Sequence, residues 1–173
     1  SVVTIRNHLE KLAMKDFIPS LIILDYADIM RSTRQYDSLR HELKLIYEEL
    51  RNMAMEMKIP IWTASQANKE ASDKDVVGLD NMSEAYGKAM VADVVVSLSR
   101  KQLEKSTGAG RLFVAKNRAG KDGILFPVRI DCSKSKISVL DDAGEMSAID
   151  FIESRKTGTK DMLKSKWKEI TGQ

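Results

Sequence analysis

The sequence predicts an α/β fold: parallel strands flanked by helices, extended toward the carboxyl terminus by antiparallel strands. Three observations predict it. Short apolar runs, LIIL (21–24) and IPIWTAS (59–65), alternate with stretches of helical apolar spacing, the pattern of strand–helix–strand units in a parallel sheet. From Gly110 onward the pattern changes to strand-length runs separated by short Gly, Lys and Ser turns, as in an antiparallel meander. At 173 residues, 43% hydrophobic and 31% charged, the chain is long enough for a sizeable core and too apolar for intrinsic disorder.

TIRNHLEKLAMK (4–15) places apolar residues at 5, 9, 12 and 13, a helix with Thr4 as the expected N-cap. LIIL follows Pro19-Ser20 and reads as a strand buried on both faces. Between Tyr36 and Met57 the residues Leu39, Leu43, Ile46, Leu50, Met53, Ala54 and Met57 recur every three or four positions, the strongest helical pattern in the chain. IPIWTAS is a second buried strand, with Trp62 expected in the core. The polar stretch 68–81 reads as a loop, SEAYGKAMVA (83–92) as a short helix and DVVVSLS (93–99) as a third strand of the sheet. Then come the strands GRLFVAKNR (110–118), GILFPVRID (123–131) and KISVLDD (136–142). A linker, ESRKTGTK, precedes an amphipathic stretch at 159–170 with Leu163, Trp167 and Ile170 on one side. The expected division is 1–142 for the main domain and 143–173 for linker and helical tail.

Several function classes are excluded. The net charge of +3, from 28 basic against 25 acidic residues, does not by itself imply a nucleic-acid partner. One cysteine, Cys132, rules out an intramolecular disulfide and a cysteine-based zinc cluster, and is compatible with a reducing compartment. His8 and His41 lie in separate amphipathic segments and do not make a metal site. No apolar run reaches the roughly 18 residues of a membrane span, and the amino-terminal stretch lacks the apolar core of a signal peptide. The expectation is a cytoplasmic protein with no membrane partner.

In open parallel sheets, ligands bind beyond the carboxyl ends of the strands. Two strands end there in polar residues: the first in Asp25, with a second acid, Asp28, within one turn, and the next in Ser65 and Gln66. A carboxylate after four apolar residues is placed to hold Mg²⁺ directly or through water. A neighbouring glutamine can orient water or feel a γ-phosphate, because its amide both donates and accepts. An apolar run also ends in aspartate where the side chain merely caps the next turn. KNRAGKDG reads equally as a solvated hairpin with basic edge residues, and the basic tail as a solvated amphipathic helix.

Taken in order, LIILDYADIM, IPIWTASQANKE, NMSEAYGKAMVADVVVSLSRK and LFVAKNRAGKDG resemble the second half of the RecA-like motor of DnaB-type replicative helicases, most nearly those of tailed bacteriophages. FPVRIDCSKSKISVLDD resembles the closing hairpin of the phage members, and the likeness spans roughly residues 4–142. The resemblance implies a partial RecA-like sheet and a role for each matching residue. Asp25 would be the Walker B acid that organises Mg²⁺, and Gln66 would couple the γ-phosphate of ATP to the DNA-binding loop that follows. Lys116 and Arg118, alternate residues on one strand and hence on one face, would reach the ATP of a neighbouring subunit, Arg118 as an arginine finger. DNA contacts would come from Lys69, Lys74, Ser83, Gly87 and Lys88. The partners implied are single-stranded DNA, a homo-hexameric ring, and a primase or helicase loader.

The phosphate-cradling Gly-x-x-x-x-Gly-Lys-Ser/Thr loop occurs nowhere, and neither does the upstream catalytic glutamate of the family. The expectation is a carboxyl-terminal fragment of an ATP-driven 5′-to-3′ helicase. Alone it should not turn over ATP, and it should dissolve poorly. Two other readings share the sheet: a RecA- or KaiC-like ATPase or recombinase, and a non-catalytic interaction module. The SEAYGKAMVAD segment and the Lys-x-Arg strand favour the helicase.

Overall fold

The computed structural model describes residues 1–140 except 35, 37, 69, 70, 72, 73 and 82–85, together with 146 and 147. The tail at 143–173 and the expected DNA contacts Lys69 and Ser83 therefore lie outside the described residues, apart from the short strand at 146–147. The chain divides into two compact units, Ser1–Lys69 with Leu79–Asp93, and Glu70–Gly78 with Val94–Gln173.

The first unit carries α1 (Val2–Ala13), β1 (Ile22–Leu24), a 3-10 turn (Ala27–Ile29), α2 (Leu39–Met57), β2 (Ile61–Thr63) and α3 (Tyr86–Val91). β1 and β2 are parallel, with Ile22 opposite Ile61, Ile23 opposite Trp62 and Leu24 opposite Thr63. Helix α2 buries Leu43, Ile46, Tyr47, Leu50 and Met53, the stripe that its apolar spacing predicts. Ile46, Tyr47, Leu50 and Met53 pack with Val2 and Leu9 of α1, Ile22, Ala27 and Ile59 in one core. The N-cap of α1 is Ser1 and not Thr4: the Ser1 hydroxyl accepts from the Thr4 amide at 3.4 Å, so the helix starts earlier than its first apolar residues indicate. The central residue of each short strand faces solvent, Ile23 being 70% and Trp62 61% exposed. Neither strand is buried on both faces, and Trp62 is not in the core.

The second unit is an antiparallel sheet of β3 (Val94–Ser99), β4 (Ala109–Asn117), β5 (Ile124–Asp131) and β6 (Lys136–Val139) in that order, with β7 (Met146–Ser147) also pairing with β5. β3 was expected in the parallel sheet; it pairs instead with β4, antiparallel. Ser97 and Ser99 alternate with Val96 and Leu98, and the serine side is the more covered, Val94, Val96 and Leu98 being exposed. The serine hydroxyls reach the Val77 carbonyl at 2.6 Å and the Asp75 carbonyl at 3.5 Å, pinning the 75–77 segment to the strand. Leu125 and Val128 of β5 are fully buried. Gly108 enters β4 at φ +70°, and a side chain there would meet the Ile130 carbonyl oxygen at 2.8 Å, so the turn requires glycine. Arg111 is almost wholly buried and makes two bonds to Glu104, of 2.6 and 2.5 Å.

Candidate nucleotide site and its supporting network

Asp25 directly follows β1, as its sequence context predicts, and its side chain is exposed. Among the described residues its carboxylate makes no hydrogen bond or ion pair. The residues just after it are stitched to the end of β2. The Thr63 hydroxyl donates to the Leu24 carbonyl at 3.1 Å and accepts from the Ala27 amide at 2.9 Å. One turn on, the Ser65 hydroxyl donates to Asp28 at 2.9 Å. Gln66 is exposed, and its amide nitrogen donates to the Tyr26 hydroxyl at 3.3 Å. Asp25 and Gln66 thus stand on neighbouring strand ends, joined through Tyr26, the residue after Asp25. Two residues on a three-residue strand pair need such cross-links, since a short parallel ladder fixes little by itself.

Beneath them lies a buried polar hub. Asp28 accepts from the Tyr47 hydroxyl at 2.7 Å on one oxygen; its other oxygen takes Ser65 and the Lys88 ammonium, the latter at 2.9 Å. Lys88 also reaches the Ser65 hydroxyl at 3.4 Å and lies 5.8 Å from the centre of the Tyr47 ring, within cation–π range. Burial, and then the hydrogen bond and negative charge of Asp28, push the Tyr47 phenol well above its ordinary value of 10.0, so it stays a proton donor.

This hub revises one expectation. Lys88 was expected on DNA phosphates, yet its side chain is 1% exposed and its ammonium faces Asp28. A cation so enclosed is not presented to a phosphate. Sequence could not pair positions 28 and 88, although the second acid after β1 was visible. Tyr47 lies outside the apolar spacing read for α2 and carried no signal of its own. Gly87 sits half-buried in α3, where a side chain would touch Lys44 at 3.4 Å. Lys74 is exposed.

Lys116 and Arg118 belong to the second unit. Lys116 is half-buried near the end of β4, opposite Val95 and beside an irregularity in register. Arg118 is exposed and lies one residue past the strand, in the turn. The alternation that would put the two on one face therefore does not operate. Asn117 ends the strand by folding its side chain over the turn, accepting from the Ala119 amide and donating to the Lys121 carbonyl, both at 3.2 Å, as asparagine commonly does. Among the described residues no cluster of three or more His, Cys, Asp or Glu forms a metal cage, and no helix is long and apolar enough to cross a membrane.

Residues 1–131 match the DnaB-like helicase C-terminal domain family. The chain belongs to this family. It is 34% identical over 99 residues to the DnaB-like replicative helicase of Enterobacteria phage T4, covering 55% of this chain and 21% of that protein. It is 27% identical over 146 residues to a probable replicative DNA helicase of Trieres chinensis, covering 79% and 32%. Among solved structures it resembles a DnaB-like replicative helicase described with its interactions with primase, at TM-score 0.67 and 19% identity over 76% of this chain and 34% of the other. It also resembles a solved ATPase domain, at TM-score 0.71 and 20% identity over 81% and 51%. These neighbours share the RecA-like helicase fold. The chain spans between about a fifth and a third of the length of these two curated relatives.

Proposed function

We propose that this chain is the carboxyl-terminal part of an ATP-driven hexameric replicative helicase motor that moves along single-stranded DNA. The observation that carries the reading is the pair Asp25 and Gln66 on adjoining parallel strand ends, linked through Tyr26, in a chain of the DnaB-like C-terminal family. An exposed carboxylate free of ion pairs fits Mg²⁺, which takes hard oxygen donors and commonly needs only one or two protein carboxylates beside waters and phosphates. The chemistry a bound ion would supply is neutralisation of the charge that develops on the phosphates. Asp25 would hold it. Gln66 would orient the attacking water or register the γ-phosphate, its tie to Tyr26 keeping it level with Asp25. Arg118, exposed on its turn, would serve the ATP of a neighbouring subunit, with Lys116 beside it. Lys69, Lys74, Ser83 and the backbone at Gly87 are the proposed DNA contacts, and a primase or loader is the proposed protein partner. Residues 1–142 would form the motor segment and 143–173 a linker and helical tail, in the cytoplasm.

The test is ATP turnover with and without single-stranded DNA, on the protein that carries this chain together with its phosphate-binding loop. DNA-stimulated turnover should fall by about 10³-fold or more in Arg118→Ala, the scale of an arginine finger, and also collapse in Asp25→Asn. No turnover would point to a scaffold, and turnover indifferent to DNA and to Arg118 to a different ATPase.

A further inference from the structure

Lys88 is the most deeply buried charged side chain among the described residues, and nothing in the proposed reaction uses it. A lone buried ammonium is costly, and even a paired one is weak evidence for stability, since apolar residues of similar volume often serve as well. What distinguishes this pair is its position. Asp28 lies three residues after Asp25, and Ser65 immediately precedes Gln66. Tyr47 lies on α2 and Lys88 on α3, next to Gly87 and shortly after Ser83, both proposed DNA contacts. Four sequence-distant elements therefore meet on one carboxylate, whose two oxygens take three donors.

We propose that Lys88, with Asp28, Ser65 and Tyr47, is a positioning device that ties α3 to the strand ends carrying Asp25 and Gln66, so that DNA engaged near α3 alters ATP turnover. The proposal rests on the helicase reading above. The physical ground is the penalty for separation. Withdrawing Lys88 from Asp28 leaves a carboxylate, already 2.7 Å from the Tyr47 hydroxyl, without its cation in a low-dielectric interior. A displacement of α3 thus carries the 3-10 turn and the end of β2 with it. Lysine suits this because its three donors on a flexible stem can satisfy Asp28 and Ser65 together.

The experiment uses the complete protein with the double substitution Asp28→Asn/Lys88→Met. It removes both buried charges at similar volume; the asparagine oxygen can still accept from the Tyr47 hydroxyl, and its amide nitrogen can donate to the Ser65 hydroxyl. The readout is the ratio of ATP turnover with to without single-stranded DNA, beside the thermal midpoint and DNA affinity. The ratio should fall about fivefold or more, the scale of ordinary coupling between sites, at near-normal DNA affinity. Tyr47→Phe, which removes one hydroxyl, should lower the ratio in the same direction and decides the matter if the double variant does not fold. An unchanged ratio in the folded variants, with only the midpoint lowered, would make the hub purely structural and overturn the proposal. A wild-type protein not stimulated by DNA would instead overturn the helicase reading, and this proposal with it.

Discussion

In the parallel pair, three residues of β1 face three of β2; in the antiparallel sheet, β4 is laddered to β3 along the whole of β3 and to β5 over five positions. The first region holds its strand ends together with side chains: Thr63, Ser65 and Gln66 reach across to residues 24–28. The second relies on backbone, with Ser97 and Ser99 adding the 75–77 segment. Both bury a cation. Lys88 is shared among elements far apart in sequence, whereas Arg111 is held chiefly by Glu104, seven residues away. A site built where the ladder is short is adjustable but depends on a few polar side chains; a sheet held by its backbone is stiff and tolerates their loss.

Lys88→Ala should break this contrast most severely, because it strands Asp28 in the interior. The expected destabilisation is about 3–5 kcal/mol, read from denaturant unfolding. A loss below about 1 kcal/mol would class the pair with surface bridges and dissolve the comparison. In the sheet the sensitive points are backbone ones. Gly108→Ala should cost about 1–2 kcal/mol for left-handed backbone plus about 1–3 kcal/mol for crowding the Ile130 carbonyl. At Gly123, which is at φ +75° with no atom within 4 Å of an added Cβ, alanine should cost only the first part. Equal melting temperatures for the two variants would contradict that difference.

Single hydroxyls sharpen the contrast further. Tyr47→Phe removes a bond to a charged acceptor and should cost about 1.5–3 kcal/mol; Ser97→Ala removes a bond to a neutral carbonyl, about 0.5–1.5 kcal/mol. The reverse order, in matched urea titrations, would place the greater polar dependence in the sheet. The smallest effects should appear with pH, at opposite ends of the scale. The raised Tyr47 phenol is still protonated in the folded protein when the unfolded chain, above its ordinary 10.0, has lost the proton. Its contribution is complete below pH 10 and disappears as pH rises beyond it. Asp131 is the last residue of β5. The Ser133 hydroxyl, at 2.6 Å, holds its carboxyl below the ordinary 3.8, so its contribution is present above that value and lost in stronger acid. Unfolding followed at pH 3 and at pH 11 checks both signs.

The helix α2, both short strands and the meander were legible because each is a local pattern of apolar spacing or turn residues. Asp25 and Gln66 were legible for the same reason, standing at the ends of apolar runs. Tertiary choices were not. A valine-rich run such as 94–96 fits either sheet, and nothing local in it chooses between them. Trp62 was expected inside because its strand reads as buried, but alternation turns it to the uncovered side of a two-stranded sheet. The burial of Lys88 left no trace in sequence: an ammonium is polar by composition wherever it ends up, and its partner lies sixty positions away. Arg118 shows the converse failure, where counting alternate residues ran past the point at which Asn117 turns the chain.

The exposure of Trp62 has a practical side. Its indole stands in solvent on β2, in the first unit, while the one thiol of this chain, Cys132, is exposed at the end of β5 in the second. The chain contains one other tryptophan, Trp167. With Trp167 replaced by phenylalanine, indole fluorescence becomes a donor on one unit and a thiol-coupled dye an acceptor on the other. This chain then carries its own optical ruler, with which any change in spacing between the two units can be watched in real time.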